Sequence, residues 1–206
     1  MLTRQIIIDT AIRIIDAEGL AAFSTRRLAR ELRINQASLY HHFRSKDEIL
    51  DGIRFEVLRE VRVPGYGQKP WPEWIVAACV ATRSALLAHP NIAPLVYREI
   101  TDITTFEVRN EGAALLVKQG VPLRLVAALI SSFDSLAFGS AVLDPTGAGS
   151  IPRDKVNAAA FPDIAAMLDA NPLPGDEMFE LQCRTLAKGW LAVIAAEEDS
   201  EAWPAL

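Results

Sequence analysis

The stretch STRRLARELRINQASLYHHFRSKDEIL, residues 24–50, decides the fold, because it places helix starts and stops at close intervals. Ser24 and Ser45 each precede a run with helical spacing, and serine is a favoured N-cap residue. Only residues 33–35 separate the second helix from a short third helix, expected over residues 36–43. Two helices joined so closely must pack at a steep angle, which predicts a helix-turn-helix.

Outward from this stretch, apolar residues recur at helical spacing along almost the whole chain. No run alternates with period two for long enough to form a strand, so the fold class is predicted to be all-α. A first helix is expected over residues 3–18, ended by Gly19 in the left-handed C′ conformation. Ser45 and Glu48 have the spacing of a capping box, which starts a fourth helix over residues 46–62.

The Pro/Gly-rich stretch 63–70 cannot remain helical and marks a predicted boundary. It divides the chain into a domain over residues 1–62, which includes the connecting helix 46–62, and a helical domain over residues 71–206. The segment 144–157 has no periodicity and is interpreted as a mobile loop. The remaining helices are expected at residues 71–88, 92–100, 104–119, 122–143, 162–170 and 176–197.

Positive charge is concentrated in the predicted helix-turn-helix. The whole chain has a formal charge of −5, which argues against general binding of polyanions. Between Ser24 and Lys46, however, six basic residues face one acidic residue. The positive field is therefore local, and a partner with negative charge would meet it only there.

Two cysteines, Cys79 and Cys183, stand far apart, without the spacing of a metal or redox site. We expect two buried, reduced thiols and no metal or cofactor. Arg4 and Asp9 are unlike a signal peptide, and Asp134 interrupts the longest apolar stretch, so a soluble cytoplasmic protein is expected.

The third helix carries a face that suits the major groove of DNA. Leu39 and Phe43 are four residues apart and are expected to face inward, which leaves two other rows exposed. Gln36 can pair with an adenine edge, and Ala37 can contact a thymine methyl group. Tyr40 and His41 can donate hydrogen bonds to phosphates, flanked by Thr25 and Lys46 at the starts of the second and fourth helices. The alternative is ordinary amphipathic packing beside a solvated basic face.

The residue types in this stretch are more specific for one protein family than the helix spacing alone. A threonine that opens helix two, a short turn, the run Leu39-Tyr40-His41-His42-Phe43 and Lys46 at the start of helix four together resemble the DNA-binding region of TetR-family repressors. The family usually has glycine where this chain has Arg33; if the backbone there is left-handed, the departure costs on the order of 1 kcal/mol. The resemblance implies DNA contacts from Thr25, Arg26, Gln36, Ala37, Ser38, Tyr40, His41 and Lys46.

The rest of the chain resembles the tetracycline repressor branch of that family. KPWPEWIVAACVATRSALLAHPNIAPLV and QGVPLRLVAALISSFDSLAFGSAVLD carry this resemblance, which implies a body for ligand binding and dimerisation. Val96 aligns where that branch has a metal-binding histidine, and His89 lies seven residues earlier. His89 is therefore interpreted as structural, and binding of the effector is predicted to be independent of magnesium.

The predicted function is a ligand-responsive transcriptional repressor that binds a palindromic operator as a homodimer and is released by a small, largely apolar effector. An all-α enzyme and an effector-free DNA-binding protein are the alternatives; an enzyme is not favoured, because no catalytic grouping can be placed. The dimer is expected to form through the helices at 122–143 and 176–197. Small residues that permit close helix approach are Ala128, Ser135, Gly139, Ala187, Gly189, Ala192 and Ala195.

Polar residues interrupt the apolar faces of the body helices, a mixture that suits a ligand pocket. Taken singly, each of them is more often a residue that satisfies a helix carbonyl or an ion pair. The ligand contacts predicted on this basis are Thr82, Arg109, Ser131, Asp134 and Ser135.

Overall fold

The structure, a computed structural model, describes residues 2–59, 61, 63, 65–98, 103–143, 153–170 and 173–198. Within these ranges the secondary structure is helical, without a strand, which confirms the predicted all-α class. The helices are α1 Arg4–Glu18, α2 Thr25–Glu31, α3 Gln36–Leu39, α4 Lys46–Arg59, α5 Trp71–Ala88, α6 Ala93–Arg98, α7 Ile103–Lys118, α8 Leu123–Leu143, α9 Pro162–Asp169 and α10 Gly175–Glu198.

The chain divides into two compact units. The first consists of Met1–Arg62 and Ala81–Ala114, and the second of Val63–Val80 and Leu115–Leu206. Residues 81–114 thus group with the N-terminal helices, whereas the sequence placed them in the second domain. The boundary over residues 63–70 stays a prediction.

The first four helices of the first unit enclose a small apolar core. Ser24 accepts from the N–H of Arg27, as the sequence predicts, and Thr3 likewise accepts from the N–H of Ile6 at the start of α1. These bonds satisfy backbone donors that helix starts otherwise leave unpaired. Leu32, the C-cap residue of α2, is half-buried. The core side chains of α1 to α4 are Ile7, Ile8, Ala11, Ile14, Ile15, Leu28, Ala29, Leu39, Phe43, Ile49, Ile53 and Val57.

Two glycines show where this core is tight. At Gly52 of α4, an added Cβ would lie 2.5 Å from Cδ1 of Ile8, so α1 and α4 approach closely at a residue without a side chain. Gly19 ends α1 with φ 84°, but its ψ of 160° lies outside the left-handed helical region. The predicted left-handed cap is therefore wrong in ψ; the N–H of Gly19 nevertheless donates to the carbonyl of Ile15.

The third helix is shorter than predicted. Regular α3 ends at Leu39, and Tyr40 follows with φ −76° and ψ −4°. The N–H of Phe43 still donates to the carbonyl of Leu39 over 3.0 Å, so the chain keeps winding in the same sense beyond the helix. Regular α3 is therefore a single turn, continued by the turn through Phe43.

In the second unit, α8 and α10 pack together. Trp190 donates from Nε1 to Oγ of Ser132 over 2.9 Å, and Arg124 pairs with the buried carboxylate of Glu197. By length and mean hydropathy α8 could cross a membrane. Its buried face accounts for that apolar character, since Leu125, Leu129, Phe133, Ala137 and Ala141 are buried within the protein.

Cys79 of α5 and Cys183 of α10 are free and buried, as predicted. Their sulfur atoms lie 3.4 Å apart, and the thiol of Cys79 also contacts the carbonyl oxygen of Phe133. The hydrogen bond with Cys183, followed by burial, raises the pKa of the Cys79 thiol far above its ordinary value. The Cys79 thiol is therefore protonated at neutral pH.

Several boundaries in the body differ from the predictions by one or two residues, as expected for frayed helix ends. The larger difference lies in the predicted loop 144–157. Its described end contains a short 3-10 helix, Arg153–Lys155, and Arg153 forms a two-pronged ion pair with Asp169 at the end of α9. Residues 144–152 of the predicted loop lie outside the described residues.

Replacing Arg33 by glycine is expected to stabilise the protein. Arg33 has φ 54°, the left-handed region in which a Cβ atom collides with the backbone. We expect Arg33→Gly to raise the free energy of unfolding by up to about 1 kcal/mol, measured by urea denaturation. Arg33→Ala is the control, since it removes the charge and keeps the Cβ. Equal stability of the two variants would contradict a backbone origin.

Candidate nucleic-acid interface

α3 and the turn that follows it bury one side and expose the other. Leu39 and Phe43 are 0% and 2% exposed, as their spacing predicts. Gln36 and Ala37 are exposed, and Tyr40 keeps 47% of its surface accessible. The two buried side chains therefore fix which residues this segment presents to solvent.

His41 is exposed and Ser38 is half-buried. Because the chain keeps winding to Phe43, Gln36 remains in one row with Tyr40, and Ala37 in one row with His41. The structure thus brings the predicted groove-facing residues together on one side. Their contacts with DNA remain a prediction.

The N-terminal end of α3 is held by two side-chain hydrogen bonds. Oδ1 of Asn35 accepts from the N–H of Ala37 over 3.0 Å, as an N-cap. Nε2 of Gln36 donates to Oγ1 of Thr25 over 2.9 Å, and Thr25 is 9% exposed. The Thr25 hydroxyl, predicted to contact phosphate, is therefore engaged with Gln36 in the unbound protein. Asn35 was recognisable as a cap by residue type; the Gln36 bond was not.

The C-terminal end of this segment is held by Arg4, a residue that sequence reasoning did not connect with the interface. The guanidinium of Arg4 lies 4.0 Å from the centre of the Phe43 ring. It donates from one nitrogen to the carbonyl oxygen of His42 and from the other to Oε1 of Glu48 over 2.9 Å. No spacing rule relates residues 38 and 44 positions apart, so only the fold shows this contact.

Glu48 links the turn to the start of α4. Ser45 accepts from the N–H of Glu48 over 3.1 Å, which is the expected half of the capping box. The carboxylate of Glu48 reaches back to the N–H of Arg44, one residue before the position that the box predicts. This bond, and then the one from Arg4, hold the pKa of Glu48 below its ordinary value. The carboxylate is therefore ionised at neutral pH.

The uncompensated positive charge of the basic cluster is smaller than its number of basic residues implies. Arg27 is paired with both Glu18 and Glu31, at 2.6 and 2.7 Å. These bonds raise the pKa of Arg27 and lower that of Glu31, so both groups stay charged and compensate each other. The basic side chains that stand exposed around α3 are Arg26, Arg30, Arg33, Arg44 and Lys46. The ammonium of Lys46 lies 5.6 Å from the Phe23 ring centre.

The residues predicted to contact an effector lie in both units. Thr82 and Arg109, in the first, are half-buried. On α8, in the second, Ser131 and Ser135 are exposed and Asp134 is half-buried. Their role as ligand contacts remains a prediction.

His89 contacts α1 within the first unit: its Nδ1 lies 2.8 Å from Oδ2 of Asp16. This contact agrees with the interpretation of His89 as a structural residue. Asn91 donates to the backbone carbonyl of the same aspartate over 2.9 Å. Val96, aligned with the metal-binding histidine of the tetracycline repressors, is 1% exposed on α6. An apolar residue therefore stands at that position.

Comparison with known proteins agrees with this geometry. Residues 7–53 match the family model for bacterial regulatory proteins of the tetR family. An HTH-type transcriptional regulator from Saccharopolyspora erythraea is 33% identical over 142 residues, which make up 69% of this chain and 57% of that protein. The chain thus spans little more than half of that regulator. Tetracycline repressor protein class E from Escherichia coli is 26% identical over 88% of this chain and 82% of the repressor.

A solved structure extends the likeness to nearly the full chain. ActR, a TetR family protein of Streptomyces coelicolor solved in complex with actinorhodin, is 30% identical, with a TM-score of 0.71. The match covers 93% of this chain and 98% of ActR. With the helix-turn-helix, the all-α body and these relatives in agreement, the chain belongs to the TetR family of DNA-binding transcription regulators, which are not enzymes.

Proposed function

We propose that the protein is a transcriptional repressor that binds a palindromic operator as a homodimer and is released by a small, largely apolar effector. The observation that carries the proposal is the exposed face of α3, which is held at both ends by side-chain hydrogen bonds. A surface residue that only needs solvation gains nothing from such support. A residue that must meet a base edge does, because readout requires a fixed direction.

Gln36 is proposed to read an adenine. Its amide nitrogen has two hydrogens, of which Thr25 accepts one. The second hydrogen and the amide oxygen suffice for the two bonds to N7 and N6 of adenine. The bond to Thr25 thus orients the amide without using up its capacity to read a base. Ala37 beside it supplies a methyl group for a thymine contact.

The remaining contacts are proposed to position the protein on the backbone of the duplex. Tyr40 and His41 donate to phosphates from the end of residues 36–43, which we call the recognition segment. Further contacts are proposed from Arg26, Ser38 and Lys46, and from Thr25 at the start of α2. Such contacts add affinity for any sequence, whereas Gln36 selects among sequences. The two roles separate experimentally by base preference and by salt dependence.

Substitutions at Gln36 and Lys46 test the interface. Against a duplex that the wild-type protein selects from a randomised pool, Gln36→Ala is expected to cost roughly 1 to 3 kcal/mol and to change the base preference at one position per half-site. Lys46→Ala is expected to lower the slope of log affinity against log salt by about one, and Tyr40→Phe to weaken binding to all sequences. Fluorescence anisotropy over a salt series measures both quantities.

The control is Lys155→Ala, an exposed lysine of the second unit that also removes one positive charge. It is expected to leave affinity and base preference unchanged. If Gln36→Ala keeps both its affinity and its preference, α3 does not read the groove through this residue.

The proposed dimer uses the solvent sides of α8 and α10. Ala128 and Ser135 on α8, and Ala192 and Ala195 on α10, are exposed. Among the described residues, no atom outside the glycine's own stretch of helix lies within 4 Å of a Cβ built at Gly139 or Gly189. Ala187, predicted as part of this surface, is instead buried within the unit. Small exposed residues on two packed helices permit close approach of a second copy, in which the four helices form a bundle.

The dimer is tested by mass and by one substitution. The wild-type protein is expected to scatter light with twice the chain mass at micromolar concentration, and to require half-sites roughly 34 to 36 Å apart. Ala192→Glu is expected to give a monomer with lower DNA affinity, because like charges would meet across the symmetry axis. Ala158→Glu, at another exposed alanine of the second unit, is the control. A wild-type monomer in the presence of DNA would rule out the arrangement.

The effector is proposed to be apolar, with Ser131 and Asp134 of the second unit among its polar contacts. ActR, which is similar over nearly its whole length, was solved with actinorhodin bound, which supports small-molecule control in this chain too. Val96 occupies the aligned position of the metal-binding histidine and is apolar and buried, which favours an effector bound without magnesium.

Release of DNA by an apolar effector is tested by titrating the protein–DNA complex with a library of apolar compounds, with and without EDTA. Release is expected to be the same in both conditions. To change the ratio of released to DNA-bound protein from 1:99 to 99:1, the effector must bind the released state more favourably by roughly 5.5 kcal/mol. Release seen only with magnesium would contradict the metal-free proposal; no release by any compound would favour an effector-free DNA-binding protein.

A further inference from the structure

We propose that Arg4 is a positioning residue for DNA readout. From α1 it holds the C-terminal end of the recognition segment in place, and it can do so because its guanidinium group is planar. This inference rests on the proposed reading face of α3. Arg4 precedes residues 7–53, the part of the chain that matches the family model. Its role follows from contacts within the first unit.

Three contacts meet on one guanidinium group. Its face covers the Phe43 ring at 4.0 Å, one nitrogen donates to the carbonyl oxygen of His42, and the other donates to Glu48 at 2.9 Å. These partners lie on the recognition segment and on α4. A planar fork with several fixed donors can serve all three at once, whereas a lysine ammonium is a single point that cannot stack and fork together.

The recognition segment needs this support. Regular α3 has four residues, which is too short to be stable without tertiary contacts. Asn35 and Thr25 hold its beginning. Burial of Phe43 anchors its end, but the backbone of the turn through Tyr40, His41 and His42 is tied to α1 by Arg4. Loss of Arg4 would leave the buried side chains in place and loosen the turn that carries Tyr40 and His41.

A direct phosphate contact by Arg4 is the competing explanation. Its guanidinium already donates to two protein oxygens, and the ionised Glu48 compensates its charge. The pair therefore adds little to the positive field around α3. A positioning role and a charge role predict different DNA affinities for two substitutions, Arg4→Lys and Glu48→Gln.

The experiment measures anisotropy with the duplex selected by the wild-type protein and with an unrelated duplex, over a salt series. Arg4→Lys keeps the charge and loses the fork, and is expected to lower affinity for the selected duplex about tenfold, the equivalent of one base contact. The salt slope and the affinity for the unrelated duplex are expected to stay unchanged. If charge alone matters, Arg4→Lys binds like the wild type and Arg4→Gln loses about one unit of salt slope, and the proposal fails.

Glu48→Gln supplies a result of opposite sign. The amide oxygen can still accept from the N–H of Arg44, so the start of α4 keeps its cap, but the ion pair with Arg4 is lost. Positioning predicts lower affinity for the selected duplex, although the net charge becomes more positive. A charge role predicts higher affinity, which would overturn the proposal. Because no substitution removes a buried group, folding is retained on either prediction.

Two controls complete the design. Arg184→Lys alters an exposed Arg184–Glu180 pair on α10 and is expected to leave DNA binding unchanged. In Arg4→Lys, amide hydrogen exchange is expected to be faster at residues 40–43 and unchanged in α1. A general loss of stability would instead make exchange faster in both regions. A wild-type protein that selects no duplex would refute the proposed function itself, which is a separate outcome from failure of the Arg4 variants.

Discussion

The surface proposed to read DNA depends on the burial of Leu39 and Phe43 beneath a helix of only one turn. These two side chains are the apolar anchors of α3, and together they remove a large apolar surface from water. A single turn has no stability of its own, so its direction is set by what it packs against. Everything on the exposed side, from Gln36 to His41, takes its position from this burial and from the polar contacts at the two ends of the segment.

The net positive charge around this surface is smaller than the count of basic residues in the sequence indicates. Arg27 is compensated by Glu18 and Glu31, and Arg4 by Glu48, so neither adds much to the field that a phosphate meets. A protein with a formal charge of −5 then has modest attraction for DNA of arbitrary sequence. On the proposed function, discrimination between an operator and other DNA depends more on fixed directions at α3 than on long-range attraction.

Local chemistry made much of the fold predictable, and tertiary contacts explain what was not. The starts of α2 and α4 follow from Ser24 and Ser45, because a serine cap acts within three residues of itself. The end of α3 did not follow, since Leu39 and Phe43 keep helical spacing although regular α3 ends at Leu39. Nor did the site's polar supports: Gln36 meets Thr25 across eleven residues and Arg4 meets His42 across thirty-eight. Spacing rules describe one helix, whereas these bonds join two.

α8 shows how one sequence pattern serves two different surfaces. Its apolar residues are numerous enough for a membrane span. Leu123, Val142 and Leu143 at its ends are exposed, but between Leu125 and Ala141 the helix is divided by residue size. Leu125, Leu129 and Phe133 are buried, while the opposite side exposes Ala128 and Ser135. A surface for lipid would be expected to carry large aliphatic side chains; small residues instead suit close contact between helices. The same reasoning that assigns the large residues to the core supports the proposal that the small ones meet a second copy of the chain.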